Sequence, residues 1–382
     1  AMSVSEILPE RSTTDFERTR DTLPKARHLP GYVYTSPEIY QLEKEKIFMK
    51  DWLCIGRIEE IENPGDYMAL RIMDEPIIVA RDNDGHVNAF ANVCKHRGVE
   101  VASGSGNLQE FSCPYHGWLY DLKGNLVGAP YMKEAEGFDP KNCQLEPLKI
   151  DQWRGWMFIN FDPDAMPLED FAAEYEKEFA FLHHEKTRLA SKLVVDLDCN
   201  WKFVVENVQD FYHVQVLHLD TFGGHINIDD FVFNVKENGG FSSFYDAAPD
   251  TPNKESLFGQ MPWLADKPMS FAYTGYLAPN FHIFGRVDES HPMVIWPLAP
   301  DKTQIIVYHV FPAEHFSQPD FEEKAGVYHN FLDAVLEEDR EMVNSLQRGM
   351  NTKMFEPGPL SRMEVNLHSL LNYYLDRVGL DA

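Results

Sequence analysis

The sequence predicts an α+β protein in two parts, a small antiparallel β domain followed by a larger domain in which helices flank an antiparallel sheet. Three observations predict it. Short β-type runs separated by tight turns fill residues 52–161. Asp162-Pro163-Asp164 marks a boundary. Beyond it, strand-like runs alternate with helical segments, ending in a helical period from Pro319 to about Met350. A chain of 382 residues is long enough to bury cores of this size.

In chain order, residues 1–50 form a polar N-terminal segment expected to pack on the larger domain. Pro24, Pro30 and Pro37 break any long helix before residue 37. From there to Lys50, Ile39, Leu42, Ile47 and Phe48 mark an apolar stripe, and Ser36 suits the cap. Residues 51–162 form the β domain, with strands at 52–56, 67–72, 75–81 and 87–92. Turn residues at 63–66 and 82–85 separate them, and β texture resumes over 144–161. Residues 163–382 form the larger domain. It opens with a helix over 167–181 and a strand over 193–198. Strands are expected at 231–238, 241–247, 274–277, 281–284, 291–297 and 304–312, and a last helix over 365–378. The stretch 255–267 is irregular.

Composition excludes several classes. Hydrophobic residues are 44% and aromatics 13%, which excludes general disorder. Lys+Arg 34 against Asp+Glu 61 gives a net charge of −27, which lacks the basic footprint that nucleic acid or an anionic membrane requires. The opening residues show no apolar signal-type run and no stretch approaches about 18 apolar residues, so a cytoplasmic location is expected. Five cysteines form no disulfide framework.

Two cysteines belong instead to a metal-ligand pattern. Cys94-Lys95-His96-Arg97-Gly98 and Cys113-Pro114-Tyr115-His116-Gly117-Trp118 read C-x-H, then sixteen residues, then C-x-x-H. Two thiolates and two imidazoles suit zinc or an iron–sulfur cluster. For the cluster speak one Cys and one His from each loop, the glycines Gly98 and Gly117, and a hairpin setting without the helix of a zinc finger. The loops CKHRG and CPYHGWLYD, followed by Gly124-Asn125-Leu126, resemble the two cluster loops of Rieske proteins. The resemblance implies a [2Fe–2S] cluster on Cys94, His96, Cys113 and His116. Tyr115 either donates a hydrogen bond to it or packs; Trp118 reads as core.

A second stretch, residues 206–218, holds Asp210, His213 and His218 in a mostly apolar setting. Two His and one carboxylate are the ligand pattern of non-haem Fe(II) oxygenases, and a buried helix with hydrogen-bonded histidines gives the same residues. Five residues on a regular helix turn about 140°, so His213 and His218 reach one metal only if the helix ends or bulges between them. Asp210, three residues before His213, shares its face and is placed to orient it. Asn200-Trp201-Lys202 followed by E-N-x-x-D-x-Y-H-x-x-x-x-H resembles the catalytic region of Rieske non-haem iron oxygenases, in their large α subunits of the aromatic-ring-hydroxylating type. That resemblance implies iron on His213 and His218, and for Asp210 a bridge to a cluster histidine of a neighbouring subunit.

The third ligand follows from periodicity. Among Glu337, Glu338, Asp339 and Glu341, Asp339 has the apolar neighbours Val335, Leu336, Met342 and Val343 at three and four positions. A carboxylate on an apolar stripe is costly unless it is paired, protonated or metal-bound. The family's segment E-D-x-x-x-V-x-x-x-Q-x-G, here Glu338-Asp339, Val343, Gln347 and Gly349, agrees. His225, His282, His291 and His309 are further candidates, each read as structural.

The resemblance implies a terminal oxygenase that uses dioxygen, with electrons from NAD(P)H through a separate reductase, with or without a ferredoxin. It also implies a homotrimer without a β subunit. Aromatic-ring hydroxylation is the expected reaction. Oxidative demethylation or hydroxylation of a small quaternary amine is the alternative, and a Rieske electron carrier without oxygenase activity is the alternative of another class.

Overall fold

The structure, a computed structural model, describes residues 3–222 and 226–382. It divides into two compact units, residues 49–169 and residues 1–48 together with 170–382. Residues 163–166 belong to the smaller unit for a local reason. Trp52 Nε1 donates to the Met166 carbonyl at 2.8 Å, and Lys149 Nζ to that of Ala165 at 2.6 Å.

In the smaller unit the strands are β1 (Leu53–Arg57), β2 (Asp66–Ile72), β3 (Glu75–Arg81), β4 (Val87–Ala91), β5 (Ser105–Asn107), β6 (Glu110–Ser112), β7 (Leu119–Asp121), β8 (Leu126–Gly128), β9 (Pro147–Trp153) and β10 (Trp156–Asn160). Seven form an antiparallel sheet in the order β1-β10-β9-β4-β3-β2-β5, and β6-β7-β8 form a second small sheet. The expected run over 144–161 is a hairpin. Arg154 (φ 48°) and Gly155 (φ 86°) both turn left-handed between the paired Trp153 and Trp156, the geometry of the tightest β-hairpin loop. Ile78, Phe90, Phe111, Trp118 and Tyr120 pack into one core that includes Cys94 and Cys113.

The larger unit is a second seven-stranded antiparallel sheet, β11-β17-β16-β15-β14-β13-β12. Its strands are β11 (Thr187–Leu197), β12 (Asn234–Val235), β13 (Phe241–Asp246), β14 (Phe271–Leu277), β15 (Phe281–Arg286), β16 (Met293–Ala299) and β17 (Lys302–Pro312). β12 to β17 run as a meander, and β11 returns beside β17 at one edge. β11 begins six residues before the expected strand, because the polar alternation of an edge strand hides its start. The strand expected at 231–238 shrinks to Asn234–Val235, since Phe231 turns inward to stack on Phe211 (4.1 Å, 19°).

Helix Phe321–Met350 packs on this sheet through a stripe that includes Phe321, Ala325, Tyr328, Leu332, Val335, Leu336 and Val343. Gln347 closes its inner face, accepting from Asn200 N (2.8 Å) and donating to the Tyr34 carbonyl (3.1 Å). Among the described residues no helix is long and apolar enough to cross a membrane.

Candidate metal centres

In the smaller unit, two loops carry the Cys and His pairs with matching backbone bonds. Cys94 N donates to the Val99 carbonyl (2.9 Å) and Gly98 N to that of Cys94 (2.8 Å). Cys113 N donates to the Trp118 carbonyl (2.7 Å) and Gly117 N to that of Cys113 (3.0 Å). Each closes at a left-handed glycine, Gly98 (φ 84°) and Gly117 (φ 70°), which an L side chain rarely adopts. The glycines are explained by this φ and not by crowding, since a Cβ at Gly98 would meet nothing within 4 Å.

Both sulfurs are buried and unbonded to each other, whereas His96 and His116 are exposed. The imidazoles converge, Nδ1 to Nδ1, at 3.1 Å. Thiolates at the buried end and imidazoles at the surface fit a [2Fe–2S] centre with two thiolate and two imidazole ligands. His96 stacks on the buried Trp118 (4.9 Å, 13°). The tyrosine beside a sulfur is Tyr120, whose hydroxyl lies 3.3 Å from Cys94 Sγ and accepts from Lys95 N at 3.1 Å. Tyr115 packs instead. It is 56% exposed, lies over His116 (3.8 Å between centroids) and accepts from Arg97 Nη1 at 3.3 Å.

In the larger unit, helix Trp201–Gln209 opens under the Asn200 side chain, which accepts from Lys202 N at 3.1 Å. It ends before the first histidine. Asp210 is extended (φ −87°, ψ 101°), and a single turn, Val214–Leu217, separates His213 from His218. This break brings both rings to one point, with Nε2 to Nε2 at 3.2 Å. Asp339 Oδ1 lies 3.2 Å from His218 Nε2 and 3.6 Å from His213 Nε2. Ligand atoms about 2.0–2.2 Å from one metal stand about 3–3.5 Å apart, so the trio fits one ion.

Asp210 reaches His213 not along a helix face but from the extended residue, with Oδ2 3.3 Å from Nδ1. Glu338 Oε2 is 2.7 Å from His218 Nδ1 and accepts from the Thr221 hydroxyl at 2.8 Å. That bond holds the proton on Nδ1 and turns the Nε2 lone pair to the convergence point. Asn207 Nδ2 donates to Asp339 Oδ1 at 3.0 Å. Burial alone would lower the His218 pKa, but Asp339 and Glu338 overcome it and the net shift is upward. Tyr120, Glu338, Asn207 and Thr221 escaped the sequence reading. Tyr120 and Asn207 stood in the quoted motifs without a role, and Glu338 adjoined Asp339 on the half-apolar edge of the stripe.

A cavity of about 110 Å³ adjoins the trio, walled by aliphatic residues and by Phe211, Phe222, Phe231, Tyr245 and Phe284. His282 and His291 line it without joining the trio, and His225 lies outside the described residues.

Comparison with known families matches residues 51–146 to the Rieske [2Fe-2S] domain and residues 183–380 to the ring hydroxylating alpha subunit (catalytic domain). The chain belongs to the ring-hydroxylating alpha-subunit family. It is a Rieske oxygenase, with a [2Fe–2S] cluster, mononuclear iron, dioxygen as oxidant and electrons from a reductase. The catalytic-domain match removes the electron-carrier alternative, and the Rieske match removes zinc for the cysteine loops. This family member is 29% identical to a carnitine monooxygenase oxygenase subunit of Acinetobacter baumannii, over 92% of this chain and 91% of that one. It is 30% identical to the chloroplastic choline monooxygenase of Spinacia oleracea, over 88% and 74%. Its fold matches a crystal structure of a quaternary ammonium Rieske monooxygenase with a TM-score of 0.80 at 23% identity, covering 97% and 99% of the two chains.

Proposed function

We propose that this oxygenase acts on a small quaternary ammonium compound, by hydroxylation or oxidative demethylation. The observation that carries the reading is the set of relatives matched over most of the chain, whose names specify carnitine, glycine betaine and choline. The cavity supports it. A tetraalkylammonium group has no N–H donor, so aromatic faces and nearby negative charge recognise it. Five aromatic rings line the wall, with the Asp210 carboxylate beside them. Arg340, also on the wall, is drawn off by Glu337 at 3.3 Å. Aromatic-ring hydroxylation, the reaction expected from the sequence, becomes the second reading, favoured by the aliphatic part of the wall and by a benzene 1,2-dioxygenase subunit alpha from Pseudomonas putida, 32% identical over 56% of this chain.

In this assignment Cys94, His96, Cys113 and His116 hold the cluster, and His213, His218 and Asp339 hold the mononuclear iron. Bound iron supplies the one-electron chemistry with dioxygen that side chains lack. Glu338 fixes the His218 tautomer, Asn207 orients Asp339, and the apolar wall keeps water from the reacting carbon. Asp210 bridges to a cluster histidine of a second copy, and a ring of three copies closes the assembly. Supporting this, Asp210 lines a groove beside Tyr212 (56% exposed) and Val216 (81% exposed), apolar surface that a second copy would cover. A reductase, directly or through a ferredoxin, delivers electrons from NAD(P)H, in the cytoplasm.

The test is NADH-dependent turnover with a reductase on choline, carnitine, glycine betaine, benzene and naphthalene, with products identified. Consumption of one amine tightly coupled to NADH and oxygen is expected. Coupled product from the hydrocarbons alone would overturn the amine reading in favour of the ring.

A further inference from the structure

Away from the iron trio, the connection between β15 and β16 is buried throughout. Val287, Asp288, Glu289 and Ser290 are 0% exposed and His291 is 2%. Connections normally run over the surface because their polar groups need water, so a buried one carrying two acids and a histidine requires internal partners. Ser290 pairs with Val310 through both backbone bonds, which sets His291 directly opposite His309 of β17 on one face of the sheet. Glu289, two residues from His291 in an extended segment, shares that face.

Three donor atoms meet there. Glu289 Oε2 lies 2.8 Å from His291 Nδ1 and 3.8 Å from His309 Nε2, distances that bracket the ~3.4 Å between ligands of a tetrahedral ion with bonds of about 2.0–2.1 Å. The neighbouring charged groups are engaged elsewhere. Arg286 is taken up by Asp250 (3.0 Å), the Tyr245 hydroxyl (3.1 Å) and the Ala248 carbonyl (3.1 Å). Asp288 bonds the Tyr328 hydroxyl. Glu289 is left facing the two imidazoles, His291 and His309. Glu289 Oε1 and His291 Nε2 are buried with no hydrogen-bond partner, as is Asp288 Oδ1. Such a concentration of unsatisfied atoms calls for an ion or water.

We infer that Glu289, His291 and His309 form a second metal site, separate from the iron trio, that takes a divalent transition ion such as Zn²⁺. The ion ties the buried connection to β17. Because His291 also lines the cavity, it braces the substrate wall from behind. All three ligands are buried, and the fourth tetrahedral position falls to an enclosed water, so the ion's role is structural.

The experiment uses the cluster-loaded full chain with the iron trio disabled by His213→Ala and His218→Ala. This protein is stripped with a chelator, given Zn²⁺, desalted and assayed for metal. One Zn²⁺ per chain is expected, with X-ray absorption at the zinc edge showing imidazole nitrogen and oxygen and no sulfur. Adding His309→Gln or Glu289→Gln should abolish it. Less than a tenth of a zinc per chain, sulfur ligation, or zinc retained undiminished in the His309→Gln protein would overturn the site. Should the added substitutions prevent folding, the zinc content and edge spectrum of the parent double variant still decide. The trio is read separately from iron content, three per chain in the unchanged protein against the two cluster irons in the double variant, so failure of either assignment is seen separately.

Discussion

The two centres are built on opposite plans. The cysteine and histidine loops compress four donors into residues 94–116, and each loop closes with the same two backbone bonds and a left-handed glycine. The trio gathers two residues that flank a broken helix and a third on a helix more than a hundred residues later, and it needs Glu338, Thr221 and Asn207 to aim it. One site is held by its own backbone. The other is held by side chains from distant elements. A compact site should therefore tolerate the loss of a neighbouring side chain, whereas an assembled one should not.

The largest expected effect separates ligand from bridge. Asp339→Ala should lower iron by one per chain, leave the cluster spectrum unchanged and abolish product. Asp210→Asn should abolish product while every iron stays. A full iron complement in the Asp339→Ala protein would break the trio assignment, and normal turnover in Asp210→Asn would break the bridge. Next comes the support. Glu338→Gln should weaken iron binding about 10–100-fold, the usual cost of losing the partner that orients a ligating histidine. Competition against a chelator measures it. An unchanged affinity would mean that His218 is positioned by its backbone alone and that the contrast between the centres is false.

A gentler probe addresses the compact centre. Tyr120→Phe removes the hydroxyl beside Cys94 Sγ without touching the loop bonds. A hydrogen bond to a charged partner contributes about 2 kcal/mol, which for a one-electron couple lowers the cluster potential by about 90 mV. Cluster loading should not change. A redox titration followed by the cluster's absorption checks both, and a potential shifted by less than ~20 mV would mean that the Tyr120 hydroxyl serves only Lys95 N.

The same difference governs what could be read from the sequence. In the compact centre all four candidate donors could be named from the sequence, because they sit at fixed spacings and its glycines mark the turns. Its tuning group could not. Tyr115 and Tyr120 both follow Cys113 closely, and only the path of β7 decides which hydroxyl reaches a sulfur. In the assembled centre Asp339 was legible because a carboxylate on the stripe of Val335, Leu336 and Val343 breaks the pattern. Helix geometry called for a break between His213 and His218, since the two imidazoles cannot share a metal across a regular helix, but the helix ends earlier, at Asp210, which the sequence had placed on a shared helix face with His213. Glu338, Asn207 and Thr221 were not legible, because a polar residue near a helix edge looks the same whether it meets solvent or a histidine. Strand order was equally hidden. The pairing of β11 with β17 joins segments a hundred residues apart through an edge strand whose exposed half is polar.

The smallest effect concerns pH, and it should run in opposite directions in the two units. In the larger unit Glu206 is buried, and burial raises its carboxyl to about 7, against the pull of the Tyr34 hydroxyl that donates to it at 2.6 Å. Folded chains therefore keep a proton on Glu206 between about pH 4.5 and 7 that unfolded chains release, and stability falls as pH rises through that window. In the smaller unit burial raises Asp82, but the Asn88 side chain and the amides of His86 and Asp84 overcome it, so its pKa ends below the usual value. Its contribution is full above pH 3.8 and is lost as pH falls below it. Glu206→Gln keeps an acceptor for Tyr34 and has no proton to lose. Relative to the unchanged protein it should gain about 1–2 kcal/mol between pH 5.5 and pH 8, read from urea midpoints of the larger unit. Asp82→Asn should show no gain over that range, and its cost should shrink only below pH 4. Parallel pH curves for Glu206→Gln and the unchanged protein would show that the buried carboxyl is ionised at no cost, with its charge met by Lys202 across the same helix.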